Sequence, residues 1–165
     1  MTIKVGDKLP DATFVVMTSD GPSPKTTAEA FGGKKVALFA VPGAFTPTCY
    51  QQHMPGFVAR VEELKGKGID TIACTAVNDV FVMTQFAKDT GANGKILMLA
   101  DGNAEFAKKL GLEIDLSGFG LGLRSKRYAM IVDDGVVKVL NVEEAPPDHD
   151  VSSAATLCSA IDQSL

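Results

Sequence analysis

Apolar residues along this chain gather in short runs separated by polar, helix-favouring stretches. Lys35-Val36-Ala37-Leu38-Phe39-Ala40-Val41 is one such run, ended by Pro42-Gly43. It lacks alternation, as a strand covered on both faces of a parallel sheet does. From about Pro47 to Gly66 the pattern changes. Phe57, Val61 and Leu64 fall at spacings of four and three, which makes one apolar stripe and predicts a helix. Ile69 to Val77 predicts a second strand. Asn78 and Asp79 are cap-forming residues ahead of a helix from about Val80 to Asp89. Lys95 to Ala100 reads as a third strand, and Ala104 to Leu110 as a short helix closed by Gly111. Arg127–Val132 and Val136–Val142 flank Asp133-Asp134-Gly135, and Asp-Gly between two apolar runs predicts a hairpin. A last helix runs from about Ser152 to Gln163. It carries Ala154, Leu157, Cys158, Ile161 and Leu165 on one stripe that should face inward.

Strand-helix-strand-helix-strand followed by a hairpin and a helix is an α/β order. It predicts a single domain over residues 1–165, with a mixed central sheet and helices on both faces. A thioredoxin-like three-layer sandwich is the natural candidate, and a flavodoxin-like sheet fits the same order. No repeat, low-complexity tract or linker interrupts it, and no glycine-rich nucleotide fingerprint is present.

Composition narrows the partners. Sixteen basic against twenty acidic side chains give a formal charge of −4, without the basic footprint that nucleic acid or an anionic membrane needs. No apolar run approaches the roughly 18 residues that span a membrane. Residues Met1-Thr2-Ile3-Lys4-Val5-Gly6-Asp7 do not read as a signal peptide, so the expected location is the cytoplasm. Three cysteines, Cys49, Cys74 and Cys158, are widely spaced and form no Cys-x-x-Cys pair. His53 and His149 are far apart in sequence. Neither a disulfide framework nor a Cys/His zinc site is indicated.

The chemistry concentrates in Val41-Pro42-Gly43-Ala44-Phe45-Thr46-Pro47-Thr48-Cys49-Tyr50. Thr46 suits a helix cap and Pro47 the first helical position, so Cys49 falls in the first turn. Free N–H groups and the helix dipole favour an anion there, and hence a thiolate. The Thr46 hydroxyl, three residues before the cysteine, is within reach of the sulfur. His53 lies four residues after Cys49 on the same helical face. A Cys–His nucleophilic pair would suggest a hydrolase, but no third group or oxyanion motif accompanies it, and a structural histidine near the site floor is expected.

Pro42, Thr46 and Cys49 match the Pro-x-x-x-Thr-x-x-Cys motif, and the chain is identified as resembling the peroxiredoxins. Pro-Gly-Ala-Phe-Thr-Pro-Thr-Cys followed by His53-Met54-Pro55-Gly56-Phe57 resembles the peroxiredoxin-5 (type II) subfamily. The likeness extends to Lys4-Val5-Gly6-Asp7, to Val77-Asn78-Asp79 with Phe81, and to Arg127.

That resemblance implies a thioredoxin-like fold and a thiol peroxidase in which Cys49 attacks the peroxide and becomes a sulfenic acid. It places Arg127 beside the sulfur, with Arg124 as the competing arginine. Thr46 would hold the peroxide and Pro42 would shield the thiolate. Gly43, Phe45 and Thr48, with backbone N–H groups near Thr48 and Cys49, would line the substrate position. Phe45 and Phe81 would line the active-site mouth and a homodimer contact. No cofactor or metal is implied. Hydrogen peroxide and alkyl hydroperoxides are both open as substrates, and glutaredoxin with glutathione or thioredoxin as the reductant. Cys74 and Cys158 read as buried residues. The resemblance also makes each a possible resolving cysteine, although Cys158 stands later in the chain than the family's C-terminal thiol. Neither is poised to resolve Cys49, so a one-cysteine cycle is expected. The other readings are a disulfide reductase, against which the lack of Cys-x-x-Cys argues, and a redox-sensing module.

Overall fold

The computed structural model describes residues 2–145 and 147–164. The chain opens with a hairpin of β1 (Thr13–Thr18) and β2 (Gly21–Thr26), then a single-turn helix α1 (Thr27–Phe31). The run ending at Pro42 forms β3 (Lys35–Ala40), and the next apolar run forms β4 (Thr71–Ala76). Helix α4 (Val80–Thr90) leads to β5 (Leu97–Ala100), and α5 (Glu105–Leu110) ends at Gly111. A small ribbon of β6 (Glu113–Asp115) and β7 (Leu123–Ser125) precedes β8 (Tyr128–Asp133), β9 (Val136–Val142) and α6 (Ala154–Ser164). Two helices between β3 and β4, α2 (Met54–Ala59) and α3 (Val61–Gly66), complete the set.

Seven strands share one sheet in the order β2-β1-β5-β4-β3-β8-β9. β3, β4 and β5 run parallel, while β1 and β8 lie antiparallel at their flanks. The side-chain period of two sorts the core into two layers. Phe39, Cys74 and Ile131 face α2, α3, α4 and α6. Leu38, Ala73, Tyr128 and Met130 face α1 and α5 on the other side. This is the expected three-layer arrangement.

The N-terminal hairpin was not legible as strand. In β1 only Phe14 and Val16 are buried, and β2 contains Pro22 and Pro24. Proline cannot donate to a ladder, but β2 is an edge strand, where that loss is tolerated. The β8–β9 turn matches expectation. Asp134 and Gly135 both take positive φ, 48° and 80°, as a two-residue hairpin of right-handed twist requires. The Asp134 carboxylate also accepts from Gly33 N at 2.6 Å, tying the turn to the start of β3.

The single helix expected over 47–66 is corrected. It begins at Pro47, widens to a π-turn over Cys49–His53, continues as α2 and breaks at Arg60 before α3. Met54 N–H donates to Cys49 O, five residues back. Pro55 lacks the N–H that an α-ladder would use next, which loosens the ladder at this point. At Arg60, N–H bonds Phe57 O at 3.1 Å, a tighter turn that bends the axis. The last helix starts at Ala154, after a turn, instead of at Ser152. Ala154, Leu157, Cys158 and Ile161 do face inward, whereas Leu165 lies outside the described residues.

Candidate active site

Cys49 sits just beyond the C-terminal end of β3, fully buried in the layer beneath α2 and α6. The first α-type bond of its helix is Tyr50 N to Thr46 O, 2.8 Å. The N–H groups of Thr48 and Cys49 therefore precede the ladder and point out of the helix start. Thr46 is not a side-chain cap. Its hydroxyl turns to Gly43 O at 2.7 Å and to Cys49 Sγ at 2.9 Å. A hydroxyl has one proton and two lone pairs, so Thr46 can exchange donation between these two partners or accept from a third.

Backbone geometry holds this turn. Phe45 has φ 68°, left-handed for a bulky residue and costing about 1 kcal/mol or more. The turn is pinned by Ala44 N donating to Asn78 Oδ1 at 3.0 Å. The Phe45 ring stacks on Tyr50 and meets Phe86 edge-on, with centroids 5.7 and 5.3 Å apart. Pro42 is buried at the end of β3.

Arg127 directly precedes β8 and is 2% exposed. Alternation along the strand sends Tyr128 to one side of the sheet and Arg127 to the other, toward Cys49. Arg127 Nη2 donates to Cys49 Sγ at 3.0 Å, and Nη1 lies 3.0 Å from His53 Nδ1. The guanidinium thus sets a fixed positive charge and a hydrogen bond directly on the sulfur. Arg124 borders the Gly43 end of the same turn. Its Nε donates to Leu121 O, and Nη1 lies over Gly43, where a Cβ would meet it at 3.0 Å.

His53 is fully buried, with Nε2 2.9 Å from Ser152 O. A carbonyl only accepts, so Nε2 carries the proton and Nδ1 accepts from Arg127. Burial first, then the Arg127 charge, holds His53 well below the usual histidine range. Both ring nitrogens are engaged away from Cys49, which excludes a Cys–His nucleophilic pair. Phe39 and Phe57 pack on the imidazole at centroid distances of 5.0 and 5.6 Å, and His149 meets it edge-on at 5.0 Å.

Cys74 and Cys158 are unpaired and buried. Burial pushes the Cys74 thiol well above its ordinary value, and the nearby Cys49 adds to that. Burial and a hydrogen bond with Glu63 also raise Cys158. Neither environment prepares a nucleophile. Among the described residues no group of His, Cys, Asp and Glu has the geometry to hold a metal, and no helix is long and apolar enough to cross a membrane.

His53 is the structural histidine expected at the site floor, and it takes one arm of Arg127. Sequence reasoning missed two participants. Ser152 O lies 2.9 Å from His53 Nε2, and Ser152 N and Oγ in turn donate to the Glu143 carboxylate. Nothing local in the sequence marks them, because the contact is made only when β9 and α6 return to the sheet end.

The redoxin family profile matches residues 4–158. Peroxiredoxin-2E, chloroplastic, of Arabidopsis thaliana is 56% identical over 147 residues. The match covers 87% of this chain and 63% of that longer protein. Peroxiredoxin-2B of the same plant is 45% identical, with 96% of this chain and 98% of that one covered. Among solved structures, reduced Prx3 from Vibrio vulnificus in complex with hydrogen peroxide superposes with a TM-score of 0.92. It is 52% identical, covering 97% of this chain and 99% of that one.

Proposed function

Because the chain belongs to the peroxiredoxin family, we infer that it is a thiol-dependent peroxidase with Cys49 as the attacking residue. The observation that carries this reading is the pair of contacts on one sulfur, Arg127 Nη2 at 3.0 Å and Thr46 Oγ1 at 2.9 Å. The Cys49 thiolate donates an electron pair to the hydroxyl oxygen of ROOH. An S–O bond forms and the O–O bond breaks, so sulfur is oxidised to sulfenic acid and the peroxide is reduced. The leaving RO⁻ takes a proton and departs as water or alcohol. Arg127 and the N–H groups of Thr48 and Cys49 stabilise charge on the oxygens, and Thr46 orients them. Gly43 and Phe45 shape the approach, while Pro42 keeps bulk water from the sulfur.

A thiol then displaces the sulfenic oxygen as water, giving a mixed disulfide at Cys49. A second thiol releases the Cys49 thiolate. The burial of Cys74 and Cys158 favours an external donor, glutaredoxin with glutathione or thioredoxin, working in a reducing cytoplasm. A homodimer is proposed on the aromatic surface beside the site, where Phe45 and Phe81 are 41% and 65% exposed. Steady-state consumption of hydrogen peroxide and of a cumyl hydroperoxide, with each donor in turn, tests the reading. Turnover that vanishes in Cys49→Ser is expected. Oxidation of Cys49 without turnover by any donor would instead identify a redox sensor.

A further inference from the structure

The segment between β9 and α6 lies across the end of the sheet that holds Cys49, and among the described residues three bonds anchor it there. Glu143 N donates to Arg127 O at 2.9 Å. Thr48 Oγ1 donates to Pro147 O at 3.1 Å. His53 Nε2 donates to Ser152 O at 2.9 Å. One carboxylate organises the segment from within. Glu143 is 6% exposed, and its Oε2 accepts from Asp150 N at 2.7 Å, Ser152 N at 2.7 Å and Ser152 Oγ at 2.6 Å.

We propose that Glu143 is a positioning residue for the peroxide step, acting through Ser152 and His53 to aim Arg127 at Cys49. The proposal rests on the peroxidase reading above. The chain of constraint is continuous. Glu143 fixes the backbone of Ser152, whose carbonyl holds the proton of His53 on Nε2. Nδ1 is thereby left as an acceptor for one arm of Arg127, and the guanidinium fork directs its other arm to the sulfur. Glu143 also holds the main chain of Arg127 itself. Burial opposes the charge on Glu143, but the donors from Ser152 and Asp150 outweigh it and keep the carboxyl below its usual range. The group is therefore an anion throughout the neutral range, where the three donors require it.

The alternative is that Glu143 merely caps its own turn, and the two differ in what His53 does when Glu143 is lost. His53 is faced by Arg127 from the start of β8 and by His149 from the segment itself, with Phe39 and Phe57 closing the remaining sides. In Glu143→Ala, Ser152 is released and His53 gains water. With part of its burial relieved, its value rises toward the ordinary histidine range, and protonation turns Nδ1 into a donor that opposes Arg127. Stopped-flow oxidation of the reduced full chain by hydrogen peroxide should slow roughly tenfold or more, as small misplacements in active sites do. Reduction of the oxidised enzyme by dithiothreitol should stay within about twofold of wild type, because that step does not need the Arg127 fork. The rate profile between pH 5 and 8 should acquire an acid limb beyond any that the wild type shows. That limb should disappear in Glu143→Ala/His53→Gln and persist in Glu143→Ala/His149→Gln. Glu143→Gln keeps an acceptor oxygen, should fold, and should slow oxidation less than the alanine variant. A lowered melting temperature with wild-type oxidation rates and profiles in both single variants would make Glu143 a turn cap and overturn the proposal. Wild-type protein whose Cys49 does not react with peroxide would overturn the peroxidase reading itself.

Discussion

Arg127 Nη1 and His53 Nδ1 lie 3.0 Å apart, so the imidazole serves as the acceptor for a buried guanidinium. A lysine offers one ammonium and cannot reach the imidazole and the Cys49 sulfur with a planar fork. Arg127→Lys should therefore slow oxidation by hydrogen peroxide about 10²–10³-fold, the scale for losing an aligned charge donor. Stopped-flow fluorescence or absorbance measures this. Oxidation near the wild-type rate would shift attention to Arg124.

The state of His53 makes a separate prediction for stability. Its folded value is depressed, by burial first and then by Arg127. As pH falls below about 6.5 the unfolded chain binds a proton that the folded chain refuses. Stability should therefore decline on acidification, with a limiting slope of about 1.4 kcal/mol per pH unit from this one group. Urea unfolding between pH 5 and 7.5 should show the decline, and His53→Gln should flatten it. Glu143 acts in a lower window. Its folded value is depressed, so its contribution is present above about 4.5 and is lost as pH falls below that. A wild-type slope unchanged in His53→Gln would place the titration elsewhere, with His149 the next group to examine.

Resolution of the sulfenic acid should need only Cys49. Cys74→Ser and Cys158→Ser should each retain most turnover with glutathione and glutaredoxin, while Cys49→Ser retains none. Mass spectrometry after one equivalent of peroxide should find sulfenic acid on Cys49, or its glutathione adduct. A quantitative disulfide from Cys49 to either partner, with turnover lost when that partner is removed, would require the active-site helix to unwind in each cycle.

On the opposite face of the sheet, the Tyr128 hydroxyl is buried without a hydrogen-bond partner among the described residues. An unpaired buried hydroxyl costs about 1–3 kcal/mol. Tyr128→Phe should thus stabilise the protein by about 1 kcal/mol in urea unfolding. The ring points away from Cys49, so peroxide oxidation should be unchanged. A loss of stability would mean that the hydroxyl is satisfied in solution.

Much of this architecture could be read before the chain folded. The parallel strands at 35–41 and 69–77 announced themselves as unbroken apolar runs, because both of their faces are covered. The Asp134–Gly135 turn was legible because few residues accept positive φ twice in succession. Cys49 and Thr46 were legible because they act within one helical turn, where sequence spacing is geometry. The proline-bearing edge strand β2 was hidden, since a strand with one free edge needs fewer of the usual residues. Glu143 and Ser152 were hidden for a different reason. Their role depends on closure of a loop from the far end of the chain, and a glutamate before a polar turn looks like any solvated charge.

The wide turn at Cys49–His53 sets the helical phase of the thiol. Each residue of an α-helix advances the direction of its side chain by about 100°. The turn accommodates one residue more than an ordinary α-turn, and so fixes the angle between Cys49 and the histidine that holds its arginine. Deleting one of Gln51 and Gln52 would leave Pro42, Thr46 and Cys49 at their motif spacing and every catalytic side chain present. The thiol would nonetheless sit at a different angle and height relative to His53, and so to the cation that His53 holds. The number of residues between cysteine and histidine is in this sense an active-site component, encoded as a length instead of as a side chain.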